Sequence, residues 1–129
     1  MTPQDNRHIV EQFWAAMNTN DFRAAGAWLH DDYLLDWPQS QERVRGRENF
    51  VAVNEHYPAA GPWRFAIRRL VAGEHEVVTD TTVTDGVTTA RAITFSEVRD
   101  GKIVRQTEYW PDPCPAPAWR AQWVESIEE

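Results

Sequence analysis

Asp80, Arg91 and Glu108 are the residues of this chain whose types and spacing could do chemistry together. A positioned carboxyl group that takes or gives a proton contributes roughly 10²–10⁴-fold in rate. An Arg beside it can orient it or stabilise a developing oxyanion, and a second acid can hold the Arg. Glu108 is therefore read as the general acid/base, Arg91 as its partner and Asp80 as the anchor of Arg91. His56, near a helix end, could shuttle protons near neutral pH, although a surface or capping role is the commoner one for such a residue. Asp36, beside Trp37, is a further candidate, pointing inward only if a bulge reverses the strand alternation. His30-Asp31-Asp32 faintly resembles a metal cluster, but adjacent ligands make poor coordination geometry and no metal is expected. With no Gly-rich phosphate loop or nucleophile elbow, no cofactor is expected either.

These residues meet only if hairpins bring them together. Asp85-Gly86 and Asp100-Gly101 are strong signals for tight two-residue turns. With both turns tight, Asp80 faces Arg91, Val78 faces Ile93, Phe95 faces Gln106, Ile93 faces Glu108 and Arg91 faces Trp110. Opposed side chains share a face. One face then carries Asp80, Arg91, Ile93, Phe95, Gln106, Glu108 and Trp110. The other carries Thr79, Thr81, Val83, Ala90, Ala92, Thr94, Ser96, Ile103, Thr107 and Tyr109, which suits packing of sheet against sheet in a dimer. The charged face is expected inward, because the other is too poor in charge to look wet. A slip of one residue would exchange the faces.

The rest of the chain supplies the scaffold. Thr2-Pro3-Gln4-Asp5 reads as a helix start, and Ile9, Val10, Phe13, Trp14 and Met17 fall on one helical face. Asn18 to Asp21 breaks this helix and caps a short second one ending at Asp31-Asp32. A strand over Tyr33 to Trp37 follows, and a third helix runs from Gly46 to Pro58. Trp63–Ala72, Glu76–Thr84, Val87–Arg99 and Lys102–Trp110 read as strands. The order is that of an α+β fold, a curved antiparallel sheet closed on one face by three N-terminal helices. A Pro-rich extension over 111–129 carries Trp119, Trp123 and Ile127 at a spacing that predicts a packing stripe on a short terminal helix.

Bulk properties narrow the partners. The 129 residues fit one domain, and the net charge of −7 argues against nucleic acid or an anionic membrane surface. The single cysteine, Cys114, and the lack of a leader-like or membrane-spanning apolar run predict a soluble cytoplasmic protein. Seven tryptophans, spread from position 14 to 123, predict an aromatic core, an aromatic-lined cavity or both.

The element order, the N-D-F-R-A-A-x-A-W-L-H-D-D-Y run (Asn20–Tyr33), R-G-R-E-N-F (Arg45–Phe50) and V-R-D-G-K-I-V-R-x-T-E-Y-W (Val98–Trp110) resemble the SnoaL-like branch of the nuclear transport factor 2-like superfamily. That resemblance implies a cone-shaped α+β barrel, an apolar pocket between helices and sheet, and a homodimer through the sheet. Its members include polyketide cyclases, isomerases, epoxide hydrolases, dehydratases and non-catalytic binders, so function stays open. Ketosteroid isomerases of the superfamily use a Tyr and two Asp. Phe13, Trp37 and Ile93 stand at those positions here, which argues against isomerase chemistry by that route. Epoxide hydrolases use an Arg between two acids, for which Arg91 with Glu108 and Asp80 could stand. The last-strand Tyr109-Trp110 pair implies an inward Trp110.

The expected site thus comprises Glu108, Arg91 and Asp80, with a wall of Trp110, Trp37, Phe13, Tyr33, His56, Ile93, Phe95, Gln106, Trp63 and Asp36. The expected function is cofactor-independent acid/base chemistry on a small hydrophobic cyclic or aromatic substrate. Non-catalytic binding of a hydrophobic ligand and water addition to an epoxide are the alternatives.

Overall fold

The computed structural model describes residues 2–127. The first helix, α1 (Pro3–Met17), begins where Thr2 and Asp5 cap one another: Thr2 Oγ1 accepts from Asp5 N, and the Asp5 carboxylate accepts from Thr2 N. Its apolar stripe, Ile9, Val10, Phe13, Trp14 and Met17, is buried. Asp21 caps α2 (Phe22–Gly26) through Ala24 N. The strands β1 (Leu29–Trp37) and β2 (Glu42–Arg45) precede α3 (Gly46–His56). Then come β3 (Arg64–Ala72), β4 (Glu76–Thr84), β5 (Thr89–Arg99) and β6 (Lys102–Tyr109).

The six strands form one sheet in the order β2-β1-β6-β5-β4-β3. It is mixed rather than wholly antiparallel, because β1 runs parallel to β6. The α2 helix ends earlier and β1 starts earlier than the sequence reading has them, so His30-Asp31-Asp32 lies in a strand. The short β2, which the sequence reading leaves as a polar loop, pairs with β1 from Leu34↔Arg45 to Trp37↔Glu42. The helices cover one face: α1 packs on β3 and β4, and α3 packs on β1 and β2.

Asp100-Gly101 forms the expected tight turn, with φ of 54° and 75° and Arg99 opposite Lys102. Asp85-Gly86 does not. The Asp85 carboxylate accepts from Val87 N, Thr88 N and Ala60 N, which opens the loop to residues 85–88 and pairs Thr84 with Thr89. This moves the partners along by two, so Asp80 faces Ile93 and Thr82 faces Arg91. An even shift leaves the faces of β4 and β5 as expected.

The decisive departure is a β-bulge in β6. Val98 pairs with Ile103 but Glu97 pairs with Arg105, leaving Val104 as the extra residue. Beyond the bulge every β6 side chain changes face relative to the unbulged register. Gln106 and Glu108 therefore lie opposite Ser96 and Thr94. The charge-poor face, with Val77, Thr79, Thr81, Val83, Ala92, Thr94 and Ser96, is the one buried under the helices. It is not a free dimer face. The physical reason is ordinary: burying Thr and Ala costs little, whereas burying Asp and Arg requires pairing.

The tail departs from expectation too. A short 3₁₀ helix (Ala118–Trp123) leaves Trp119 and Trp123 exposed, with no packing stripe.

Candidate functional site

Between the helices and the inner face of the sheet lies a cavity enclosing about 860 Å³ of non-atom space, solvent at its mouth included. Rings make up about half of its wall, among them Phe13, Trp14, Trp37, Phe50, Trp63 and Trp110. Phe13, Trp14 and Phe50 come from α1 and α3 and pack on one another and on Phe65 and Tyr33. Trp37 enters from the end of β1 and Trp110 from just beyond β6. Trp63 is held at the start of β3 by the α1–α2 connection. The Asn20 side chain bonds both Trp63 N and Trp63 O, and that of Asn18 bonds both Phe65 N and Phe65 O. Asn20 does this from φ 61°, a left-handed conformation that Asn tolerates.

Glu108 is the one ionisable carboxyl group in this wall. It is buried, and its three bonded partners are neutral. Trp37 Nε1 and Trp110 Nε1 donate to Oε1 at 3.0 and 3.1 Å, and Thr94 Oγ1 lies 2.7 Å from Oε2. Burial pushes the Glu108 carboxyl above its ordinary value, and the three donors offset only part of that rise. The partners also decide which oxygen carries the proton. Indole N–H groups can only donate, so Oε1 stays bare, whereas a Thr hydroxyl can donate or accept. In the acid form the proton therefore sits on Oε2, where Thr94 can turn to accept it.

Beside Glu108 a second polar chain closes the interior. Tyr33 donates to Gln106 Oε1, and Gln106 Nε2 donates to Ser96 Oγ at 3.1 Å. Desolvation first, and then the nearby Glu108 charge, hold the Tyr33 hydroxyl well above its ordinary pKa, so Tyr33 acts as a neutral donor.

The sequence-derived site divides accordingly. Glu108, Gln106, Trp110, Trp37, Phe13 and Trp63 line the cavity, and Tyr33 stands behind it, bonded to Gln106. Arg91 and Asp80 do not join them. They form a two-pronged pair, 2.8 and 2.9 Å, on the opposite face of the sheet. Ile93 and Phe95 share that outer face, where Phe95 packs edge-on against Tyr109. The sequence reading expects all four inward, with Glu108 and Gln106; the charge-poor face is the buried one, and the β6 bulge parts Glu108 and Gln106 from them. Asp36 also points outward, between Arg43 and Arg105, which hold its carboxyl down at about 2. Strand alternation is not reversed there. His56 is exposed and its ring bonds Ala52 O, a carbonyl of its own helix.

Thr94 is the functional neighbour that sequence reasoning missed. Its only signal was the bulge, which no residue type announces. Asn54, Tyr57 and Thr88 at the cavity wall were likewise missed. Among the described residues no cluster of His, Cys, Asp or Glu is arranged to hold a metal ion. No helix there is long and apolar enough to cross a membrane.

The SnoaL-like domain matches residues 10–106, most of the chain. The chain belongs to the SnoaL-like family. Among solved structures, a nuclear transport factor 2-like protein of unknown function from Burkholderia xenovorans is 35% identical, with TM-score 0.82, and the match covers 99% of each chain. A Kribbella flavida protein provisionally named a ketosteroid isomerase is 28% identical, with TM-score 0.91, covering 100% of this chain and 95% of its own. An epoxide hydrolase of Mycobacterium tuberculosis, 23% identical over 84% of each chain with TM-score 0.69, shares the fold. None of the curated proteins matches this SnoaL-like chain. Its relatives thus span several chemistries, and the site residues have to carry the functional argument.

Proposed function

We propose that this SnoaL-like protein binds a small hydrophobic cyclic or aromatic molecule and that Glu108 transfers a proton at it without a cofactor. One observation carries the reading: a carboxyl group with a raised pKa is pinned by three neutral donors in the wall of an aromatic cavity. Such a group holds its proton to higher pH than a surface acid and gives or takes it at an apolar substrate, where water competes poorly. Oε2 is the working atom. Trp37 and Trp110 orient the carboxyl group, and Thr94 follows its protonation state.

The epoxide-hydrolase reading loses its support, because Arg91 and Asp80 stand across the sheet from Glu108. The isomerase route gains none. Phe13 and Trp37 occupy two of the required acidic or phenolic positions, Ile93 faces outward, and its inward neighbours are Ala92 and Thr94.

The test uses nitrobenzisoxazole, an aromatic probe opened by a base that removes its ring C–H proton while the N–O bond breaks to release a coloured phenolate. The wild-type protein should accelerate this opening, with a rate that rises with pH as Glu108 ionises above the ordinary carboxylate range. Glu108→Gln should lose roughly 10²–10⁴-fold. Equal rates for the two proteins would leave a binding protein without chemistry.

We further infer a cytoplasmic homodimer joined through the true outer face of the sheet. Partly exposed Phe95 and Tyr109 on that face support it, as does the unpaired Cys114 for a reducing compartment. Light scattering on the intact protein tests the dimer: a monomer mass would overturn it.

A further inference from the structure

We propose that the ligand of this cavity is a hydrophobic ammonium ion, its charged nitrogen against Glu108 Oε2 and its carbon skeleton among the rings of Trp37, Trp63, Trp110 and Tyr57. The inference rests on the reading above that the cavity is a ligand site, and names the class of molecule it takes.

The first argument is charge. Glu108 is an acid with no Arg, Lys or His in the cavity wall among the described residues. Across the sheet Asp80 pairs with Arg91, and Asp36 with Arg43 and Arg105. Glu108 has no cation among its bonded partners in the cavity, so a countercharge for its ionised form would come from the ligand. The second argument is valence. An ionised carboxylate offers about four acceptor sites. Two on Oε1 are filled by the indoles and one on Oε2 by Thr94, which leaves one on Oε2 open. The third is the wall. The N–H edges of Trp37 and Trp110 are spent on Glu108, so those rings offer a ligand their π surfaces, which attract cations. Tyr57 packs edge-on to Trp63 and, being more than half exposed, adds a ring toward solvent. The chain's net charge of −7 draws cations toward it at long range.

A linkage follows. Burial favours the protonated acid, and a bound cation favours the carboxylate. Binding an ammonium ion therefore expels the Glu108 proton, and the affinity rises with pH. A neutral ligand of the same shape has no such dependence.

2-Phenylpropan-2-ammonium and tert-butylbenzene, which differ by an NH₃⁺ in place of a methyl group and have nearly the same shape, separate the two cases by calorimetry on the intact protein. The cation should bind on the order of tenfold tighter or more, with an affinity that climbs with pH and a proton released on binding. In Glu108→Gln the preference for the cation should collapse and the proton release disappear. The wild-type comparison needs no variant, so it stands even where the variant folds poorly. Tighter binding of the hydrocarbon, or equal binding of the two, overturns the ammonium assignment. If nitrobenzisoxazole turnover persists in that case, acid/base chemistry on a neutral substrate stands and only the ligand class falls. Failure of both probes to bind, together with absent turnover, overturns the cavity reading and the ammonium inference with it.

Discussion

The two faces of the sheet handle carboxylates in opposite ways. On the outer face Asp80 and Asp36 meet guanidinium groups. Asp80 is gripped by Arg91, with Arg69 at 3.7 Å, and Asp36 lies between Arg43 and Arg105. Both pKa values fall, the side-chain bond from an Arg being the largest cause in each. On the inner face Glu108 meets two indoles and a hydroxyl, and its pKa rises because desolvation outweighs those bonds. Depth and partner act together: Asp80 lies at the outer face, covered from water chiefly by the Arg side chains that pair with it, whereas Glu108 lies in the interior under the helices with no cation beside it. The guanidinium groups favour the ionised form of the outer acids, whereas at Glu108 the three neutral donors leave part of the penalty of ionisation in place. The outer acids are thus fixed ionised as structural ties, and the inner one is free to change state.

The sharpest way to break the contrast is to remove an outer tie. Arg91→Ala leaves the nearly buried Asp80 carboxylate with Arg69 at 3.7 Å and the more distant charge of Arg68. Stability should fall by about 1.5–3 kcal/mol, the range for a hydrogen bond to a charged group, measured by urea unfolding. Turnover of nitrobenzisoxazole per folded molecule should stay as in wild type. A loss of turnover comparable with that of Glu108→Gln would show that the faces are not separate and would restore Arg91 to the site.

This is also where sequence legibility ended. Element types were readable because their signals are local. The mutual caps of Thr2 and Asp5, the stripe from Ile9 to Met17 and the Asp100-Gly101 turn all act within a few residues. The aromatic wall was readable in part, since Trp37 and Trp110 follow from alternation and from the family resemblance. The face assignment was not, because it depends on parity counted along a strand. Val104 costs the pattern one residue and moves Gln106 and Glu108 to the other side of the sheet from Arg91. A bulge bends and twists its strand, and no residue type in β6 announces one. The Asp85 loop was misread for a related reason: its carboxylate captures backbone N–H groups, one of them on distant Ala60.

Acidity sharpens the contrast next, because the two kinds of acid have opposite signs. Asp36 ionises near 2 in the folded protein and near 3.8 when unfolded. Its stabilising contribution is full above the unfolded value and is lost as pH falls through about 2. Glu108 behaves in reverse. The unfolded chain gives up this proton first, near 4.5, so stability declines as pH rises above that value until folded Glu108 also ionises. Urea unfolding from acid to neutral pH should show both flanks. Glu108→Gln should remove the decline on the alkaline side and leave the acid flank, whereas Asp36→Asn should keep that decline and make the acid flank shallower, the part due to Asp80 and Asp85 remaining. A Glu108→Gln curve parallel to wild type throughout would mean that Glu108 is not held up by its surroundings.

The smallest effect concerns the neutral polar groups that share the inner face with Glu108. Thr79 and Thr81 are fully buried, and their hydroxyls have no hydrogen-bond partner among the described residues. A hydroxyl removed from water without a partner costs about 1–3 kcal/mol, and β-branched Val occupies much the same volume in a strand. Thr81→Val should therefore raise stability by about 1 kcal/mol, seen as a higher urea midpoint with an unchanged slope. Thr94→Val provides the control, since that hydroxyl is bonded to Glu108 Oε2 and its loss should destabilise the carboxylate and push the Glu108 pKa further up. If both substitutions stabilise equally, the Thr94 hydroxyl gives Glu108 no net support. If only Thr81→Val does, the inner face keeps its one switching acid with a hydroxyl that has a task and tolerates others that have none.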